Sequence, residues 1–149
     1  WAAGMRRKFA AFAGPAAALL AEIDDAKNVF YTSVEEVHLP LPWNRGRVLL
    51  IGDAAHSSSP FMGQGGAMAL EDGVILADML DGATDLAVVL EQFCARRFER
   101  CKFVQDASRR VGEAGAAEDG ASRDSRHARM RETAQQDVDR FYQRIAEPA

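Results

Sequence analysis

Cysteine is nearly absent: the 149 residues hold two, Cys94 and Cys101. That excludes the disulfide framework of a small secreted domain. Both fall in one stretch of helical period. Seven residues at 1.5 Å each set them about 10 Å apart along the axis, beyond the roughly 7 Å that a disulfide spans. They are expected to be free, partly buried thiols in a reducing cytoplasm. No Cys/His spacing suits a metal, so no metal ligand is expected. Long hydrophobic runs are missing too. The longest run of Val, Leu and Ile is Val48–Ile51, far short of the roughly 18 residues of a membrane span. A positive excess is lacking: the net charge is −4, which argues against a nucleic-acid binder. Gly-Lys-Ser/Thr and Gly-x-Ser-x-Gly do not occur, which argues against a P-loop and a hydrolase nucleophile elbow. The chain opens on Trp-Ala-Ala-Gly without Met and without a signal or transit pattern. It therefore reads as a fragment or a processed chain.

What is present is an ordinary globular composition, 48% hydrophobic and 27% charged, too apolar for a disordered tail. The charge is uneven. Residues 96–131 hold 10 basic and 6 acidic side chains, interleaved as on a solvated helical face. Short helices are expected over Met5–Phe12 and Pro15–Ile23, broken at Gly14-Pro15. The aromatic and β-branched Val29–Val34 reads as a strand. Arg47–Ile51, closed by Gly52, reads as a strand covered on both faces. A Pro/Gly loop follows at Ser57–Gly66. A helix then runs from about Gly66 to Leu80, with Ala69, Leu70, Val74, Ala77 and Leu80 as its apolar positions. Leu86 to about Val111 forms a long helix with a stripe of Leu86, Leu90, Phe93, Cys94, Cys101, Val104 and Val111. Gly112–Arg126 has linker composition. An amphipathic helix, about Thr133–Ala146, closes the chain.

The chemistry signal sits in Gly46–Gly73. A buried strand presents Asp53 at its carboxyl end, where ligands bind in open α/β sheets. A carboxylate there suits sugar-like hydroxyls. Gly63-Gln64-Gly65-Gly66 would aim bare backbone N–H groups from a helix start at something electron-rich. Asp53, His56 and Ser57–Ser59 lie on one tight turn, which does not build a triad. His56 reads as a structural hydrogen-bonder. Glu71 and Asp72 read as helix-surface or inter-element contacts.

The ordered set Gly52-Asp53-Ala54-Ala55-His56, Pro60, Gly63-Gln64-Gly65 and Glu71-Asp72 closely resembles the second flavin-binding motif of the aromatic-ring hydroxylases. These are single-component flavoprotein monooxygenases of the para-hydroxybenzoate hydroxylase type. Pro42-Trp43, Gly46-Arg47 and the Arg-rich Phe93–Cys101 resemble that family's flanks, and the clear likeness covers about Trp43–Val111. The resemblance implies an α/β fold: the C-terminal part of an FAD/NAD(P)-binding Rossmann-like fold with a long C-terminal helix, here a helix-rich fragment. It implies the end of a substrate-domain region at 1–45, and the closing strand, loop and helix of an FAD domain at 46–82. A long helix at 83–111, a linker at 112–132 and a terminal helix at 133–149 complete the expected layout.

The resemblance also implies FAD as cofactor and NAD(P)H as reductant. An aromatic or related ring would be hydroxylated by O2 through a flavin C4a-hydroperoxide. Asp53, after Gly52, would bond the ribityl chain or neighbouring hydroxyls of FAD. The backbone around Gly65, Gly66 and Ala67, with Gly63 and Gln64 in the same loop, would face the N1/C2 carbonyl side of the flavin ring. Pro60 would lie near flavin and substrate. Ala67-Met68 departs from the family, in which many members carry Asn here. No catalytic side chain is assigned. The family's first motif, Gly-x-Gly-x-x-Gly, which binds the FAD pyrophosphate, occurs nowhere in the chain, and no segment resembles the family's longer middle motif built around Asp-Gly. Alone, the chain is expected to bind FAD weakly or not at all and to be inactive. Exposed apolar surface is expected to favour a homodimer. The rival readings are a truncated non-catalytic fragment or interaction module, and a related FAD oxidase or epoxidase.

Overall fold

The computed structural model describes residues 1–24, 27, 29–116 and 119–148. It divides into two compact units, Trp1–Val34 and Glu35–Ala149.

In the first unit, helices α1 (Ala2–Lys8) and α2 (Pro15–Glu22) pack together. Gly14, at φ +63°, turns the chain into Pro15 at the first helical position. Arg6 reaches across to the carbonyls that end α2. Its Nε donates to Leu20 O at 3.0 Å and its Nη2 to Ala21 O at 3.3 Å and to Ile23 O. α1 begins and ends earlier than its apolar period suggests, since Phe9 to Ala11 already turn away. The strand expected at Val29–Val34 is absent among the described residues. Phe30 stands 90% exposed. β propensity measures packing on a pleated surface, and without a neighbouring strand it does not act here.

The second unit opens with an extended segment whose Val37 and Leu39 N–H groups donate to Ser57 O and Ala55 O at 3.2 and 3.0 Å. Leu41-Pro42 is cis. Strands β1 (Asn44–Arg45) and β2 (Val48–Leu49) form a small antiparallel hairpin, pairing Asn44 with Leu49 and Arg45 with Val48. This corrects the expected strand covered on both faces: Leu49 packs against the core while Val48 on the other face is 68% exposed. A one-turn helix α3 (Asp53–His56) and a 3-10 turn (Pro60–Met62) lead to α4 (Gly65–Leu80). Then come α5 (Leu86–Gly115) and α6 (Gly120–Ala146). Asp85 caps α5, accepting from Ala87 N and Val88 N at 2.9 and 3.3 Å. Asp119 caps α6, accepting from Ser122 N at 2.8 Å.

Two differences from the sequence reading concern helices. Residues 120–132, expected to be linker, are helical. α4 buries Met68, Asp72 and Ile75, whereas Leu70 and Val74 of the expected apolar face stand 76% and 63% exposed. The helix is rotated so that Asp72, not a leucine, meets α5.

One core cluster gathers Trp43, Ala55, Ile75, Phe93, Cys94 and Cys101, and a second gathers Met68, Val104, Ala107 and Phe141. Both thiols are free and buried. Among the described residues no helix is long and apolar enough to cross a membrane.

Candidate functional site

The site begins where β2 ends. Gly52 adopts φ +57°, in the left-handed region that favours glycine. A Cβ there would stand 3.2 Å from the Cβ of Ala69, so the turn lies directly against α4. Asp53 begins the one-turn helix with its side chain exposed. The loop then brings Ser58 and Asp53 to the start of α4: a Cβ on Gly65 would meet Ser58 Oγ at 3.4 Å and Asp53 Oδ1 at 3.9 Å. The N-terminus of α4 has Gln64 as cap residue and no capping side chain. Its first backbone N–H in the helical ladder is that of Met68, donating to Gln64 O at 2.9 Å. The N–H groups of Gly65, Gly66 and Ala67 are therefore the open donors of the first turn. Gly66 and Ala67 are exposed, Gly65 and Gln64 half-buried. Gly63, at φ +63°, closes the 3-10 turn with its N–H on Pro60 O. Pro60 itself is exposed.

Of the residues singled out in the sequence, Asp53 and Gly65 are thus brought side by side at a helix start. Gly66 and Ala67 follow in the same turn. Gly52 is buried beneath them.

The support for this surface is polar and buried. Asp72 is fully buried. Its Oδ2 accepts Gly52 N–H at 2.8 Å and meets His56 Nε2 at 2.7 Å, and its Oδ1 accepts Arg97 Nε at 2.6 Å. Arg97, also fully buried, donates through Nη1 to Glu71 Oε2 at 2.6 Å and through Nη2 to Met68 O at 3.2 Å. Arg100 adds a second cation to Glu71, at 2.8 Å from Nε to Oε2 and 2.7 Å from Nη2 to Oε1. Burial alone would raise the Asp72 and Glu71 carboxyls. Hydrogen bonds from His56, Gly52 and Arg97 outweigh it at Asp72, and those from Arg100 and Arg97 outweigh it at Glu71, so both are lowered. At His56 burial acts downward, but Asp72 and Cys101 outweigh it and raise the imidazole to about 9. His56 is accordingly a cation at neutral pH. His56, Asp72 and Cys101 have donor atoms within 4.8 Å of one another. Both Asp72 oxygens are already engaged and Arg97 lies against them, so the group is an ion-pair network and not a cation pocket.

Further along α5, Gln105 and Ser108 hold the two loops. Gln105 Nε2 donates to Val37 O at 2.6 Å and Ser57 O at 2.8 Å, and its Oε1 meets His38 Nδ1 at 2.8 Å. Ser108 Oγ donates to Ser59 O at 2.6 Å, and Ser59 Oγ and Met62 N lie 3.0 and 3.3 Å from it. Glu36 takes Ser59 N–H at 3.2 Å and Arg109 at 2.8 Å. Sequence reasoning missed this ladder. The apolar stripe of the long helix includes none of Arg97, Gln105 and Ser108. The available signal was spacing: Arg97, Cys101, Gln105 and Ser108 recur at i, i+4, i+8, i+11 on one helical face.

Residues 35–90 match the family described as FAD binding domain. The chain is 39% identical over 103 residues to a FAD-dependent urate hydroxylase of Klebsiella oxytoca, covering 67% of this chain and 26% of that protein. It is 41% identical over 83 residues to an aurachin C monooxygenase/isomerase of Stigmatella aurantiaca, covering 54% of this chain and 22% of the other. Among solved structures it superposes on Klebsiella pneumoniae HpxO complexed with FAD and uric acid, with a TM-score of 0.76 and 28% identity. That match covers 93% of this chain and 36% of the other. The chain spans about a quarter of the length of the first curated relatives it matches. The segment that carries Asp53, the glycine turn and Asp72 therefore lies within the residues that match the FAD binding domain family, and it is similar to sequence found in FAD-dependent monooxygenases and hydroxylases.

Proposed function

We propose that the chain is the C-terminal part of an NAD(P)H-driven, FAD-dependent monooxygenase that hydroxylates an aromatic or related ring with O2. The observation that carries this reading is the approach of Asp53 to the uncapped start of α4, with Oδ1 3.9 Å from the Cβ position of Gly65. The donor set fits the cofactor. A carboxylate accepts hydrogen bonds from the ribityl or neighbouring hydroxyls of FAD. The N–H groups of Gly65, Gly66 and Ala67 donate to the electron-rich N1/C2 carbonyl edge of the flavin. Gly63 and Gln64 shape that turn, Gly52 lets the Asp53 turn lie against α4, and Pro60 borders the flavin and substrate. FAD, when bound, supplies the redox and oxygen-activating chemistry. The chain's own share is to bind, to orient and to present aligned dipoles where negative charge accumulates. The ring substrate is of the heterocyclic or aromatic class, in keeping with the uric acid named with HpxO. A cytoplasmic homodimer completes the proposal.

The test is Asp53→Ala in the full-length protein. Flavin content should fall, the Kd for FAD should rise about tenfold, the equivalent of losing one charge-assisted hydrogen bond, and NADH or NADPH oxidation should drop with it. Unchanged flavin content and oxidation rate would remove Asp53 from the site.

One observation favours a second reading, a non-catalytic module: none of the 149 residues forms a Gly-x-Gly-x-x-Gly. A purified chain of this sequence that is yellow, absorbing at about 450 nm as flavins do, rejects the module. A colourless chain that regains flavin only when joined to its upstream sequence supports the enzyme part.

A further inference from the structure

One carboxylate holds both ends of the turn that carries Asp53. Asp72 Oδ2 takes the N–H of Gly52, immediately before Asp53, and the ring of His56, three residues after it, at 2.8 and 2.7 Å. Asp53 lies between these anchors with its own side chain outward and exposed. Asp72 stands on α4, about two turns beyond Gly65. The same rigid helix therefore carries the clamp and the open N–H groups. Arg97 bonds Asp72 Oδ1 at 2.6 Å and Met68 O at 3.2 Å, which fixes the rotamer of the carboxylate. Gly52 lies against Ala69 of the same helix, where a Cβ would stand 3.2 Å from the Cβ of Ala69. Asp72 is wholly buried and touches no ligand surface.

We infer that Asp72 is a positioning residue: with His56 and Arg97 it sets the separation between the Asp53 carboxylate and the N–H groups of Gly65–Ala67. Through that separation it governs affinity for FAD without contacting the cofactor. The inference rests on the proposed role of Asp53. It predicts that the effect of changing Asp72 on FAD affinity passes through Asp53. A core role alone would leave the two independent.

A double-mutant cycle in the full-length protein separates these cases. FAD affinity of the apoprotein is measured by quenching of flavin fluorescence for the parent, Asp53→Ala, Asp72→Asn and the double variant, well below each one's melting temperature. Asp72→Asn should weaken FAD binding about tenfold, and the double variant should bind no more than about twofold weaker than Asp53→Ala alone. Losses that multiply in full refute the positioning role. His56→Gln, which leaves the Asp72–Arg97 pair intact, provides the second route should Asp72→Asn not fold. It should weaken binding about threefold in the parent and not at all on the Asp53→Ala background. An Asp53→Ala variant with parental affinity overturns the reading of Asp53 instead, whatever Asp72→Asn does, so the two failures are told apart.

Discussion

Arg97 is a fully buried cation that joins α5 to α4, and Arg97→Met is the perturbation that tests what this contributes. The guanidinium is fully buried and joins Asp72, Glu71 and the Met68 carbonyl at 2.6, 2.6 and 3.2 Å. Methionine keeps much of the volume and removes the charge and every donor. Removing one partner of a buried ion pair costs about 3–5 kcal/mol, because the other charge is left without compensation. Compensation is partial here. Asp72 retains Gly52 N–H and the cationic His56, and Glu71 retains Arg100. The lower end of the range, about 3 kcal/mol, is therefore expected. For a chain of this size that is a fall in Tm of roughly 6–12 °C, or about 1.5 M in the urea midpoint. Fluorescence reports the transition selectively, since Trp43 is buried in the core of this unit and Trp1 is exposed. Arg97→Lys should fall between parent and Met: one ammonium keeps the charge but cannot replace the planar fork that reaches three acceptors. A loss below about 1 kcal/mol for Arg97→Met, the size of an exposed pair, would refute the account of α4 and α5 as joined through this network.

Two further outcomes follow from the same geometry. His56 is raised from 6.5 to about 9, so the stability it contributes is fully present below pH 6.5 and is lost as pH rises through about 9. The loss is at most about 3 kcal/mol. His56→Gln should abolish that slope in urea midpoints taken from pH 6 to 10, while a variant with the parental slope would refute the assignment to His56. Gly52→Ala meets both a φ of +57° and a 3.2 Å contact with Ala69. It should cost about 1–2 kcal/mol in chemical denaturation, and a neutral substitution would mean the turn is not held against α4.

The boundaries of the second unit were readable in the sequence wherever a local signal acts alone. Gly52 ends the apolar run. The Gly65-Gly66 pair begins α4 within a residue of expectation, Asp81-Gly82 stops it, and Leu86 starts α5 behind the cap of Asp85. Features that depend on partners were not readable. Val29–Val34 has strand composition and no strand to pair with. The Gly, Ala and Ser of 112–126 suggested a linker, yet Ala, Arg, Glu and Met predominate from 121 to 134 and carry enough helix propensity to form α6 behind Asp119. The orientation of α4 was lost for a related reason. Hydrophobic periodicity assigns the buried side to Leu70 and Val74, but the helix turns Asp72 inward because a buried arginine on α5 receives it. Periodicity counts apolar side chains and is blind to a compensated charge.

That blindness has a physical basis, and it bears on the site. Burying Asp72, His56 and Arg97 together demands that every polar atom find a partner, and the partners come from several elements: Gly52 from the turn, Arg97 from α5, Met68 O and Glu71 from α4. An apolar cluster of equal volume would tolerate sliding of the turn along the helix, since dispersion contacts are individually weak and non-directional. Hydrogen bonds of 2.6–2.8 Å are directional, and slippage by one residue would leave a buried charge unpaired. A surface that must hold one carboxylate beside one set of backbone donors gains more from that restriction than from added stability. The charged residues anchor the turn that carries Asp53, and the apolar ones gather in two separate clusters.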